Sequence, residues 1–380
     1  MCFQSDGNPY HYRLWHLAQG RDGRRTLKLL DEIVTLSHEF GTPDYVRGGG
    51  GNTSCKTADT LWVKPSGTTL AGMTSATFVA MNRAAMQRLY AIEVPTDSQA
   101  REELVKNVMA ESVMPGHTGR PSVEAPLHEL LSGAFVVHTH PALVNGMTCS
   151  RNGAEFCARL FPDALWIPYI DPGFTLCVDV RKRVQEFVAK TGKAPTLLFL
   201  ENHGVFVTGN TADEIRATYR RVMDTLKAEY SKAKVGMTLV MSAPGDFAAV
   251  EAARQAIAGT LGSDATAMAY SEGFAVAEGP VSPDHIVYSK SYPYKGQPTA
   301  AGLAAFRATH GYIPKVVITP AGVFGVSPAM KQASLALELA KDGALVCQLA
   351  KAFGGIQFMT DRARLFIENW EVESYRQKQV

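Results

Sequence analysis

Two stretches of this chain follow one plan. LLFLENHGVFVTG (197–209) is an apolar run, a polar break and a second apolar run, and a charged helical pattern follows it from Ala212 to about Lys232. VVITPAGVFGVSP (316–328) repeats the plan and leads into a helical pattern near 329–352. Aligned on their glycines, Gly204 faces Gly322, Val205 faces Val323 and Phe206 faces Phe324, whereas His203 faces Ala321. A strand–turn–strand–helix unit used twice confines the chain to an α/β arrangement with a second, smaller lobe. A shorter echo pairs VVHTH (136–140) with IVYSK (286–290), setting Tyr288 against His138 and Lys290 against His140. The expectation is a duplication whose second copy kept the scaffold and lost the imidazoles.

Around these units the pattern alternates between helix and strand periods. Residues 1–25 read as an N-terminal extension; Leu27, Leu30, Ile33, Val34 and Phe40 then recur at helical spacing, with Gly41 and Pro43 as stop signals. A glycine-rich turn, RGGGGNTS (47–54), precedes a strand at 60–63 and a second turn, KPSGTTLAG (64–72). Helical patterns near 77–90, 100–112 and 124–132 come before the VVHTHP strand. The composition shift over 232–246 suggests two units, a catalytic domain over 26–236 and a C-terminal α/β lobe over 237–380, a degenerate copy.

Charge narrows the partners. Among 380 residues, 38 basic side chains nearly balance 36 acidic ones, for a net charge of +2 with no long run of one sign. Neither a nucleic-acid stripe nor a polybasic membrane patch is expected, which leaves small molecules. Six cysteines without a C-x-x-C pair read as free thiols in a reducing compartment. No apolar leader and no apolar run approaching 18 residues is visible, so a cytoplasmic protein is expected.

The chemistry concentrates in three places. AFVVHTHPAL (134–143) is an apolar strand ending in two histidines, and alternation puts His138 and His140 on one face, close enough to converge on one ion. His203, followed by Gly204, makes a third candidate; three imidazoles with an open position are the pattern of a catalytic zinc site. Glu124 precedes Pro126, which fits only the first turn of a helix, so a carboxylate opens the helix that feeds the metal strand. It is placed to ligate an ion or to move protons. HELLS (128–132) lacks the second histidine of a metalloprotease helix, and GGGGNTS lacks the endings of nucleotide-binding loops. The backbone N–H groups of GGGGNTS and PSGT (65–68) still suit phosphate oxygens.

The ordered set GGGGNTS, VKPSG, PSVE, VVHTHP, PY…PG and ENHG resembles the class II sugar-phosphate aldolase/adducin family over about residues 25–232. The remainder, including FIENWEVESYR (366–376), resembles the aldolase half of bifunctional rhamnulose-phosphate aldolase/alcohol dehydrogenase proteins, without the dehydrogenase half. The resemblance implies a three-layer α/β/α fold and makes His138, His140 and His203 zinc ligands, with another divalent transition metal as the alternative. It makes Glu124 the catalytic acid/base and Asn52, Ser66, Gly67 and Ser122 the phosphate holders. Tyr169 matches a tyrosine that protonates or orients the aldehyde oxygen across a subunit boundary. The family's P-S-S-E reads P-S-V-E here, with Val123 in place of a phosphate donor.

The implied reaction is cleavage of a ketose 1-phosphate, rhamnulose- or fuculose-phosphate-like, to dihydroxyacetone phosphate and an aldehyde, zinc acting as Lewis acid toward the enediolate. The same site in the family also serves epimerisation, dehydration or decarboxylation, and adducin uses the fold as a non-catalytic interaction module. A homo-oligomer is implied: a tetramer, or a dimer whose live and degenerate lobes alternate in a pseudo-fourfold ring. In the alternating dimer Tyr292, Tyr294 or Tyr312 replaces the cross-boundary tyrosine.

Overall fold

The structure, a computed structural model, describes residues 21–92, 95 and 97–370. Residues 1–20 of the expected extension, with Cys2, and the 371–376 end of FIENWEVESYR lie outside the described residues. The first helix, α1 (Arg21–Glu39), starts within the expected extension, so residues 21–25 are helical. Strands β1 (Asn52–Lys56), β2 (Thr60–Val63) and β3 (Val79–Asn82) follow, then α2 (Arg83–Gln87), α3 (Ser98–Ser112) and α4 (Ala125–Leu130). Next come β4 (Phe135–Thr139), α5 (Ala142–Thr148), α6 (Gly153–Leu160), β5 (Leu165–Ile167) and α7 (Phe174–Thr191). The hairpin β6 (Leu197–Leu200) and β7 (Gly204–Gly209) leads into α8 (Ala212–Lys232).

Two local expectations change. The glycine-rich turn ends at Gly51, because Asn52 already pairs with His138 across β1 and β4. The helix expected over 77–90 is a strand as far as Asn82, whose side chain accepts from Ala85 N and so caps the helix at Arg83.

Among the described residues the first sheet has the order β3-β2-β1-β4-β7-β6-β5, antiparallel except for the β5–β6 pair. Both faces are covered. On one, Leu30, Ile33 and Leu36 of α1 and Ile215, Tyr219, Val222 and Leu226 of α8 pack on Cys55, Phe135, Val137, Phe199 and Val205. On the other, Leu127 of α4 and Leu176 and Val180 of α7 pack on Leu61, Val136, Leu198 and Phe206. This is a three-layer α/β/α unit, with each fully buried aliphatic or aromatic side chain contributing roughly 1.5–3 kcal/mol.

The C-terminal part is built from α9 (Phe247–Leu261), β8 (Ala267–Ser271), α10 (Pro283–Ser289), β9 (Tyr294–Lys295), α11 (Ala300–His310), the hairpin β10 (Val316–Thr319) and β11 (Gly322–Ser327), α12 (Met330–Ala350) and α13 (Asp361–Asn369). Its sheet runs β8-β11-β10-β9. That order and its pairing senses match β4-β7-β6-β5: antiparallel, antiparallel, parallel. Residues 283–289 are helical, so IVYSK is not the counterpart of VVHTH. The register assigns that place to β8: His138 pairs with Phe206 as Tyr270 pairs with Phe324. Two residues after Tyr270, Glu272 stands where the first unit has His140. Among the described residues no helix is long and apolar enough to cross a membrane.

Candidate metal centre

Three elements bring the histidines together. His138 lies in the buried stretch of β4, His140 follows one pleat later, and His203 sits on the three-residue turn between β6 and β7. Their ring nitrogens lie within 4.8 Å of one another. The His138 ring is fully buried and stacks on Phe206 with centroids 3.9 Å apart. Asn202 takes a left-handed φ of 52°, which turns the chain sharply enough for His203 to face back toward β4. Gly204 lets the strands close up there, because a Cβ would stand 2.4 Å from Thr139 O and 2.7 Å from His140 Cδ2.

Hydrogen bonding sets the tautomers. His138 Nδ1 lies 3.0 Å from the Val205 carbonyl and His140 Nδ1 lies 2.5 Å from Asp284 Oδ2. A carbonyl and an ionised carboxylate only accept, so both Nδ1 atoms carry the proton. The two Nε2 atoms, 2.8 Å apart, then face each other as lone pairs, an arrangement a cation resolves. Burial, with the neighbouring imidazoles, pushes His138 well below its ordinary pKa and keeps it neutral, the form that ligates metal.

Glu124 stands at the residue just before α4, its side chain making no capping hydrogen bond, and aims at the same point. Its Oε1 stands 3.5 Å from His138 Nε2 and 3.6 Å from His203 Nε2, buried and without a hydrogen-bond partner. Oε2 accepts from Asn52 Nδ2 at 2.5 Å. Burial works against its charge, whereas the Asn52 amide, and any positive charge on the surrounding imidazoles, pulls its pKa below the ordinary carboxylate value. Three imidazoles and a carboxylate oxygen without a hydrogen-bond partner, converging on one point, form a donor set that suits zinc or a similar divalent ion.

A buried relay fixes Asn52. His128, fully buried and pushed down to about 3 by desolvation, donates from Nε2 to Asn52 Oδ1 and accepts at Nδ1 from Ser54 Oγ, 2.7 Å away. The amide of Asn52 is thereby turned so that its N–H faces Glu124. Lys56, buried beside these groups and lowered to about 7 chiefly by desolvation, donates to the His128, Glu129 and Leu131 carbonyls. It anchors the C-terminus of the helix whose N-terminus presents Glu124.

Asn52, Ser66, Gly67, Ser122, Glu124, His140 and His203 line one cavity, together with Lys64, Val123 and Pro172. Lys64 is 3 % exposed and donates to the Gly49 carbonyl at 3.3 Å, bringing a cation to the cavity wall. Val123 also packs against the cluster of Ile286, Leu335 and Trp370 in the C-terminal part. Tyr169, expected to act across a subunit boundary, does not line this cavity of its own chain; it packs against that same cluster, and burial and the nearby Asp171 raise its hydroxyl pKa. Tyr292, Tyr294 and Tyr312 lie in aromatic contacts within the C-terminal part.

Three residues of the site escaped the sequence reading. Lys64 carried a signal, a lysine interrupting the apolar run LWV before PSG. His128 carried a weak one, a histidine four positions after Glu124. Asp284 carried none, being 144 residues from the histidine it touches.

Residues 31–230, more than half of the chain, match the class II aldolase and adducin N-terminal domain. The chain belongs to the class II aldolase/adducin family. A Bacillus subtilis (strain 168) protein named uncharacterized oxidoreductase YuxG is 30% identical over 209 residues, 52% of this chain and 29% of that protein, so the chain spans less than a third of that relative's length. The N-terminal class II aldolase domain of a conserved Thermoplasma acidophilum protein aligns at 27% identity and a TM-score of 0.44, over 52% of this chain and 92% of that one. L-fuculose-1-phosphate aldolase from Thermus thermophilus aligns at 13% identity and a TM-score of 0.33, over 52% of this chain and 92% of that one.

Proposed function

We propose that this member of the class II aldolase family is a zinc-dependent aldehyde-lyase that cleaves a ketose 1-phosphate, rhamnulose- or fuculose-phosphate-like, to dihydroxyacetone phosphate and an aldehyde. The observation that carries the reading is the set of His138 and His140 Nε2 lone pairs, His203 and Glu124 Oε1 facing one point at the end of a cavity. In this reading the three histidines hold the metal, with Glu124 beside it. A bound divalent ion supplies Lewis-acid polarisation of the ketose carbonyl.

The protein's own groups do the rest. Ser66, Gly67, Ser122 and Asn52 hold the phosphate, and Lys64 adds a positive charge at the same wall. Glu124, ionised, accepts the hydroxyl proton from the carbon released as aldehyde while the adjacent carbon–carbon bond breaks. It then returns that proton to the carbon retained in dihydroxyacetone phosphate, so no net proton is consumed. Tyr169, in this reading, protonates or orients the aldehyde oxygen of a neighbouring subunit's site. Retention of the full histidine set and Glu124 sets the chain apart from an adducin-like binding module.

The second sheet, with the order and pairing senses of β4-β7-β6-β5, supports reading the C-terminal lobe after about residue 236 as a partial, degenerate copy of the first unit. A homo-oligomer, tetrameric or an alternating dimer, completes the proposal; light scattering that returned a monomer would remove it. The five free thiols among the described residues suit a reducing, cytoplasmic setting. The direct test is a coupled assay for dihydroxyacetone phosphate over a panel of ketose 1-phosphates with zinc-loaded protein. Turnover on at least one is expected, and none across the panel, with metal bound, would reject the lyase.

A further inference from the structure

His138 and His140 find their outward acceptors in different places. His138 uses the Val205 carbonyl from the neighbouring strand of its own sheet, whereas His140 uses Asp284, in the first turn of α10 in the C-terminal lobe. The Asp284 side chain is 6 % exposed and that of His140 9 %. The glycine run opposite makes room for the contact: a Cβ on Gly50 would stand 2.4 Å from Asp284 Oδ2 and 3.3 Å from His140 Nδ1. A second tie reaches the turn of His203, where Asn202 Nδ2 donates to the carbonyls of Val281 at 3.0 Å and Gln357 at 2.9 Å.

We propose that Asp284 is a positioning residue of the metal centre, supplied by the C-terminal lobe of the same chain, so that metal affinity depends on that lobe being docked. This rests on the metal reading above. A carboxylate on the outer nitrogen fixes the ring with Nε2 bare and makes that nitrogen more basic; losing such an acceptor commonly lowers metal affinity about 10- to 100-fold. The lobe that lost its own histidines thus keeps a part in the site of the first. Gly50 follows from the same geometry, since any side chain there pushes the carboxylate off His140. A merely structural Asp284 would hold α10 down and affect melting, leaving metal affinity untouched.

The test is zinc titration of the full, metal-stripped chain against a competing chromophoric chelator, with melting of each metal-free variant alongside. Asp284→Asn is expected to bind zinc about 10- to 100-fold more weakly while its metal-free melting stays near that of the unaltered chain, and Asp284→Glu to recover part of the loss. Gly50→Ala, which keeps the carboxylate but displaces it, is expected to weaken zinc in the same direction, and it decides the matter should Asp284→Asn not fold. Zinc affinity unchanged in Asp284→Asn, or in Gly50→Ala where that variant decides, overturns the role of Asp284. An unaltered chain that takes up no metal overturns the metal reading itself, a separate result.

Discussion

The β4–β7 region and the β8–β11 region are the same scaffold with different chemistry. Both order their strands alike, both place a glycine at the start of the inner hairpin strand, and both follow it with a helix of 21 residues. Gly204 and Gly322 even serve the same contact, a missing Cβ that would stand 2.4 Å from the carbonyls of Thr139 and Ser271, which occupy matching register positions. Where the first region carries His138, His140 and His203, the second carries Tyr270, Glu272 and Ala321. Tyr270 fills the space, donating to the Ala321 carbonyl at 3.0 Å. Among the described residues the second sheet also has no counterpart of β1–β3, the strands that bring Asn52, Lys64 and the glycine run to the first. A hairpin with a close-packed glycine is therefore a scaffold requirement, and the imidazoles are a separate, dispensable layer on it.

The largest expected effect separates chemistry from metal in the first region. Glu124→Gln keeps Asn52 as a neighbour and leaves the histidines in place, so metal content should hold while turnover falls about 10²- to 10⁴-fold, the usual share of a positioned acid/base. Near-normal turnover in that variant would move proton transfer to another residue.

A smaller effect tests whether the two regions are equivalent. Gly204→Ala and Gly322→Ala each force a methyl against a backbone carbonyl, and each should cost about 1–3 kcal/mol in denaturant unfolding of the metal-free protein. Gly322 also sits at φ 140°, where a side chain adds backbone strain. A neutral result at either position would break the correspondence drawn between them.

Much of the scaffold was legible because its signals are local. The apolar–polar–apolar hairpins and their helices follow from periodicity, and His138, His140 and His203 stand out as polar residues within or beside otherwise apolar strands. IVYSK misled because a short apolar run reads equally as strand or helix; Ser282 and Pro283 just before it, a cap residue and a first-turn proline, were the signals that favoured helix. The true counterpart, AMAYS in β8, shares little with FVVHT in β4 beyond its length, and only hydrogen-bond register ties the two together. Asp284 and the packing of Val123 and Tyr169 arise from the C-terminal lobe folding onto the first unit, a long-range contact that no periodicity encodes.

The central claim is that the histidines of the first region, and nothing in the second, hold a metal. Elemental analysis after zinc loading and dialysis compares the unaltered chain with His138→Ala and with Tyr270→Phe, the matching position in the second region. The expected result is about one zinc per chain in the unaltered protein and in Tyr270→Phe, and a near-complete loss in His138→Ala. Full zinc in His138→Ala, or none in the unaltered chain, would contradict it.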